Sequence, residues 1–189
     1  MFDIIIPVRS KSIGLKNKNI LNFHNKINLT NYTLNKLTDI KKIRKIFVLT
    51  DSKMYKKKLI KHKKIDTNYL RSKSLSKPNS KLNDLIFDFF KYYHNHSKIN
   101  KFIIFQVTSP LISKVEILKT MNFIEKNNVS SLMHVVPVLE NPYEIIEKIK
   151  KGWKFLIKKR LINRQNYLRQ FFFITGSLFF FTKNFFKKN

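Results

Sequence analysis

The sequence predicts an α/β domain: a mainly parallel sheet with helices on both faces. Three observations predict it. Short apolar runs recur along the chain and stop at polar residues, stretches with helical apolar spacing lie between them, and the intervals are long enough for helical crossovers between parallel strands.

Residues 2–7 begin almost at the first position and end in Pro7, which reads as a buried strand. Residues 44–50 carry Ile46-Phe47-Val48-Leu49 and stop at Thr50-Asp51-Ser52. Residues 101–106 carry Phe102-Ile103-Ile104-Phe105 and stop at Thr108-Ser109-Pro110. Helices are predicted at 31–40, 53–63 and 81–93, the last with Leu82, Leu85, Ile86, Phe89 and Phe90 on one face. A fourth, at 115–126, precedes a strand at 131–138. Residues 139–160 have a looser pattern, with Asn141-Pro142 as a turn signal, and read as an excursion from the sheet within a single domain spanning 1–189. Residues 171–181 return to buried-strand character, with Gly176 at a point where a side chain would block a close backbone approach. In such sheets ligands sit beyond the carboxyl ends of the strands, which is where Arg9, Asp51 and Thr108 fall.

Composition excludes several classes. With no cysteine there is no disulfide framework, thiolate zinc site or thiol nucleophile. The apolar run at 171–181 falls short of the ~20 residues of a spanning helix, and the start lacks a basic signal-peptide region, so a soluble cytoplasmic protein with no membrane partner is expected. A net charge of +28 points to anionic ligands. The lysines are spread along the chain beside abundant Asn, Ile and Phe, residues of A/T-rich codons, so the charge reads as compositional drift before it reads as a nucleic-acid face.

The loop Pro7-Val8-Arg9-Ser10-Lys11-Ser12-Ile13-Gly14-Leu15-Lys16-Asn17-Lys18-Asn19 follows the first strand. Small residues, a glycine and several cations can wrap a triphosphate, since backbone N–H groups approach the oxygens while Arg and Lys neutralise charge. It is not a Walker A loop. Composition alone would make it a solvated basic loop. Asp51 at its strand end reads first as a helix N-cap and second as a group that orients ligand or metal. Asp84 and Asp88, one helical turn apart, read as a solvated pair before a metal site, and the five histidines share no catalytic spacing.

Pro-x-Arg-x-x-Ser-x-Gly-x-x-x-Lys-Asn after a first strand resembles the nucleotide loop of the N-acylneuraminate cytidylyltransferases, the CMP-sialic acid synthetases. Further matches follow in order: Thr50-Asp51-Ser52, Leu70-Arg71 with Leu75-Ser76, Gln106 with Thr108-Ser109-Pro110-Leu111, Asn141-Pro142-Tyr143, Arg164-Gln165 and Gly176. The resemblance implies a nucleotide-binding sheet of the nucleotide-diphospho-sugar transferase type, with CTP and a nine-carbon sugar acid as partners. It implies that Arg9, Ser12, Gly14 and Lys18 hold the phosphates, with Arg9 and Lys18 catalytic, and that Asn19 and Arg71 contact the cytosine. Gln106 and Arg164 would face the sugar acid, Arg164 suiting its carboxylate because a guanidinium makes two parallel hydrogen bonds. Mg²⁺ is the implied cofactor, and a homodimer through the segment at 139–160 is implied by relatives. The implied reaction is attack of the anomeric hydroxyl on the α-phosphorus with loss of pyrophosphate.

The sequence departs from that pattern. Ile13 stands where the family has a Lys, Val107 where it has Pro, Ile112 where it has Arg, Lys77-Pro78 where a stretch contains Asp, and Thr175 where Asn precedes Gly. Relatives continue to an Asp-x-Asp segment that holds Mg²⁺, and no paired carboxylate here replaces it, so no metal ligand is assigned. Two other readings follow: a catalytically impaired homologue that binds nucleotide or sugar acid, and a basic nucleic-acid-binding protein, which would need aromatics interleaved with cations on one surface.

Overall fold

Phe2–Val8 forms strand β1, and its alternation explains the whole architecture. Phe2, Ile4, Ile6 and Val8 point into one core and Ile5 into a second, as the two-residue period of a strand requires. A strand buried on both faces must be covered from both sides. The computed structural model describes residues 1–12, 14–93, 100–157 and 170–188.

After β1 come β2 (Asn22–His24), β3 (Ile27–Asn28), helix α1 (Leu29–Thr38), β4 (Ile43–Thr50), α2 (Lys53–Lys57), β5 (Ile65–Asp66) and α3 (Leu82–Tyr93). Then follow β6 (Lys101–Phe105), α4 (Lys114–Asn127), β7 (Ser131–Pro137), β8 (Ile146–Ile149), β9 (Gly152–Phe155), β10 (Phe172–Thr182) and α5 (Lys183–Lys188). Among the described residues the main sheet has the strand order β5-β4-β1-β6-β10-β7. β1 is parallel to β4 and to β6, β4 is parallel to β5, and β10 runs antiparallel to β6. This is the mainly parallel α/β fold that the sequence predicts.

The chain forms two compact units, one of Met1–Leu132 with Ser177–Asn189 and one of Met133–Gly176. In the first, Leu34 and Leu37 of α1 and Ile117, Met121 and Ile124 of α4 cover one sheet face. Leu85, Ile86, Phe89, Phe90 and Tyr93 of α3 cover the other, packing on Phe47, Leu49, Phe102 and Ile104. Each such fully buried Leu, Ile or Phe contributes roughly 1.5–3 kcal/mol. Ser113 caps α4 and Glu116 returns a bond to the Ser113 backbone, a capping box that fixes where this crossover helix starts.

At the amino end of β1 the Asp3 carboxylate is fully buried. Arg44 donates to both of its oxygens and also to the Tyr93 hydroxyl, which in turn donates to Asp3. Burial pushes the Asp3 carboxyl upward against the pull of Arg44 and Tyr93.

The second unit holds the hairpin β8–β9, with Ile146 opposite Phe155 and Ile149 opposite Gly152, whose φ of +97° suits the turn. Asn141 Oδ1 accepts from the Tyr143 N–H at 3.1 Å, and the buried Tyr143 ring meets Phe171 edge-on at 5.6 Å.

Four local expectations are corrected. The helix predicted at 53–63 ends at Lys57. Lys57 and Lys61 would repel one turn apart, and Asn31 holds the chain out of helix by donating to the Lys58 carbonyl (2.9 Å) and accepting from Ile60 N (3.0 Å). The run at 171–181 is not buried throughout: Phe172, Phe173 and Ile174 are 52%, 63% and 50% exposed, and pairing with β6 begins only at Leu178. Gly176 is not required by a close approach, because an added Cβ would meet nothing within 4 Å. Its φ of +69° accounts for the glycine instead. Asp51 is not a helix cap, since Ser52 accepts from Tyr55 N and caps α2.

Arg44→Ala is expected to lower stability by about 3 kcal/mol or more in urea unfolding, because it strands a buried carboxylate. The Asp3→Leu/Arg44→Leu pair is expected to recover most of that loss, and a single-variant cost under about 1 kcal/mol would contradict the ion pair's place in the core.

Candidate functional site

Parallel pairing brings the carboxyl ends of β1, β4 and β6 to one side of the sheet. There a cleft of about 440 Å³ opens, within the range typical of small-molecule sites. Arg9, Ser12, Gly14, Lys18 and Asn19 from the loop after β1, Arg71, and Gln106 all line it. Seven residues singled out in the sequence thus share one wall system. The eighth, Arg164, lies outside the described residues, as do Ile13 and Gln165.

Each side chain has a local reason for its place. Asn19 lies buried in a 3-10 turn, Lys18–Ile20, and its Nδ2 donates to the Arg9 carbonyl at 2.9 Å while its own carbonyl accepts from Thr30 Oγ1 at 2.6 Å. The preceding Asn17 takes a left-handed φ of 57°, which an Asn tolerates well, and so aims Lys18 at the cleft. Arg71 follows Leu70, which bridges Thr50 of β4, and Arg71 N donates to the Thr50 carbonyl at 2.9 Å. Nε and Nη2 of Arg71 both donate to the Leu75 carbonyl, which fixes the guanidinium plane and leaves its other N–H donors for the cleft. Burial lowers the Arg71 pKa and the Asp51 charge opposes that shift, so a guanidinium stays charged there. The Gln106 N–H donates to Ser177 O at 3.0 Å, which sets the exit of β6. Lys36 Nζ holds the following loop by donating to the carbonyls of Pro110 (2.7 Å) and Ile112 (2.5 Å).

Asp51 stands beside this cleft without lining it. Its Oδ1 accepts from Ser10 N at 2.7 Å and its Oδ2 from Ser10 Oγ at 2.8 Å. Asp88 is half-buried and accepts from the Tyr69 hydroxyl, whose pKa is raised by burial and by that carboxylate, so Asp88 is not the solvated partner of the exposed Asp84 that the sequence suggests. Among the described residues no three His, Asp or Glu side chains group as a metal cage. They supply no all-protein cage for Mg²⁺, an ion that one or two carboxylates and substrate phosphates suffice to hold.

Pro78, Ser80 and Leu82 also line the cleft, although the sequence gives them no binding role. Leu82 reads as part of a helix face, and the turn-rich Lys77-Pro78-Asn79-Ser80 after Arg71 marks a loop without saying where it folds.

The arrangement can bind a polyanion: three cations, Arg9, Lys18 and Arg71, face one cleft, and no carboxylate is among the lining residues. The chain belongs to the cytidylyltransferase family, a family of nucleotidyltransferases, whose model matches residues 4–159. No curated protein sequence matches it. Among solved structures its fold is similar to a CMP:2-keto-3-deoxy-manno-octonic acid synthetase complexed with CTP, at 10% identity and TM-score 0.65, over 99% of this chain and 76% of that one. It is similar to the 4-diphosphocytidyl-2C-methyl-D-erythritol synthase of Anaerococcus prevotii, at 16% identity and TM-score 0.65, over 99% and 74%. It is also similar to the 2-C-methyl-D-erythritol 4-phosphate cytidylyltransferase of Francisella tularensis, at 16% identity and TM-score 0.62, over 94% and 71%. At these identities the likeness establishes the fold. No helix among the described residues is long and apolar enough to cross a membrane.

Asn19→Ala removes the donor to the Arg9 carbonyl and is expected to cost about 1–2 kcal/mol in thermal unfolding without ligand. Unchanged stability would mean that this bond does not order the loop.

Proposed function

We propose that the chain transfers CMP from CTP to a sialic-acid-like, nine-carbon sugar acid and releases pyrophosphate. The observation that carries this reading is the gathering of Arg9, Lys18 and Arg71 in one cleft at the carboxyl ends of parallel strands. Membership of the cytidylyltransferase family supports CTP as the donor, as does the CTP complex of the octonic acid synthetase. The ordered motifs from Arg9 to Arg164 support the sugar acid.

In this reading the anomeric hydroxyl oxygen attacks the α-phosphorus of CTP, and the bond from that phosphorus to the pyrophosphate oxygen breaks. Such transfers need little covalent help from the protein. They depend on alignment and on charge placed where negative charge develops. Arg9 and Lys18 neutralise the phosphates, with Ser12 and the backbone at Gly14 completing the cradle. Asn19 and Arg71 hold the cytosine and Gln106 the sugar acid, for whose carboxylate the resemblance implies Arg164. The resemblance implies Mg²⁺ as cofactor; the described residues form no group of three ligands for it, and no step is assigned to it.

A catalytically impaired binding homologue is the second reading, favoured by Ile13 at a position where relatives carry a cation. Loss of one preorganised cation at a triphosphate costs on the order of 3 kcal/mol of transition-state stabilisation.

Pyrophosphate release should be measured with CTP and, in turn, a nine-carbon sugar acid, 2-keto-3-deoxy-manno-octonic acid and 2-C-methyl-D-erythritol 4-phosphate. Fastest release with the nine-carbon acid is expected, and turnover with the erythritol phosphate alone would overturn the acceptor assignment. Arg9→Ala is expected to weaken CTP binding more than tenfold by calorimetric titration, and an unchanged curve would remove Arg9 from the site. Ile13→Lys is expected to raise pyrophosphate release with the fold preserved; no gain would clear Ile13 of the defect.

A further inference from the structure

We infer that Asp51 and Tyr55 are positioning residues that set the nucleotide loop from outside the cleft. The inference rests on the reading of that cleft as the CTP site. Neither residue lines the cleft, and both reach the loop through hydrogen bonds to Ser10.

The loop leaves β1 at Val8, which is in register with Thr50 at the end of β4. That register sets Ser10 beside Asp51, two and one residues further along. Asp51 then grips Ser10 through both oxygens, Oδ1 from the backbone N–H at 2.7 Å and Oδ2 from the hydroxyl at 2.8 Å. The other side of the same peptide group, the Arg9 carbonyl, is held by Asn19 Nδ2 at 2.9 Å. The next carbonyl, that of Ser10, accepts from the Tyr55 hydroxyl at 3.0 Å, with Asn17 Oδ1 3.2 Å from the same hydroxyl. Tyr55 is fully buried in α2, and its ring is locked in the core that carries β1.

Two successive peptide groups, immediately after the arginine assigned to the phosphates, are therefore tied to β4, α2 and the 3-10 turn. A freely rotating Arg9–Ser10 peptide would turn the Arg9 side chain and the backbone at Ser12 and at Gly14 away from a common point. The carboxylate makes no ion pair among the described residues, although its charge also acts on the Arg71 guanidinium and the Tyr55 hydroxyl. Its bonds to Ser10 are charge-assisted, the stronger class of hydrogen bond.

An asparagine at 51 can keep the same grip, because its oxygen accepts from Ser10 N while its amide donates to Ser10 Oγ. Alanine cannot. This separates a positioning role from a role for the charge. In the full chain, Asp51→Ala is expected to weaken CTP binding about tenfold or more and to speed amide exchange at Ser10 by a similar factor. Asp51→Asn is expected to stay within about threefold of the parent in both, an order-of-magnitude margin for a retained bond. Ser10→Ala, which keeps the backbone bond and loses the hydroxyl bond, is expected to fall between and serves if Asp51→Ala does not fold. Parent-like CTP affinity in Asp51→Ala, or in Ser10→Ala if it stands in, would overturn the inference. So would Asp51→Asn as impaired as Asp51→Ala, which would assign a role to the charge. Failure of the parent chain to bind CTP at all would instead overturn the reading of the cleft, and the inference with it.

Discussion

The parallel pairing of β1 on both its edges is the constraint on which the rest depends. Because β4 and β6 flank it in the same direction, three strand ends open on one side, and the residues that follow them are brought together whatever their distance in sequence. The pairing is enforced by burial. Ile4, Ile6 and Val8 belong to the core under α1 and α4 while Ile5 belongs to the core under α3, so a slip of one residue would exchange the two sets and place Asp3 in the wrong core. The ion pair of Asp3 with Arg44 makes such a slip costlier still, since it would leave a charge buried without its partner.

From that constraint the site follows in three steps. The register fixes where the chain emerges, side chains on neighbouring elements hold the emerging backbone, and the held backbone presents cations to a cleft. Asn19 contributes to the second and third steps at once, as it holds the Arg9 carbonyl and lines the cleft. Arg71 does likewise, tied through Leu75 while facing the same space. Such a site is assembled before ligand arrives, which is how a protein with no covalent role could favour phosphoryl transfer.

Much of the fold was legible because the main strands are apolar runs with polar ends and the helices between them carry apolar faces. The cleft residues were legible because their order along the chain is a family pattern. What was hidden depended on pairing across the sheet. Asp51 looks like a helix cap in sequence, and only the register of Val8 with Thr50 places it against Ser10. The early end of α2 depends on Asn31, some thirty positions away, capturing Lys58 and Ile60. The Phe-rich run before Gly176 reads as core because composition cannot say which half of a long strand is buried. Two-residue strands such as β3 and β5 are too short to leave a periodic signal.

The central claim is that the cleft beside Arg9, Lys18 and Arg71 is a CTP site, and nucleotide-dependent thermal stabilisation tests it most directly, because a ligand that binds only the folded chain raises its stability whether or not turnover follows. Unfolding should be followed with CTP, UTP, ATP and GTP in parallel on the same folded sample. A rise in Tm with CTP that exceeds the other three is the expected result. No rise with any nucleotide, or an equal rise with all four, would contradict the claim.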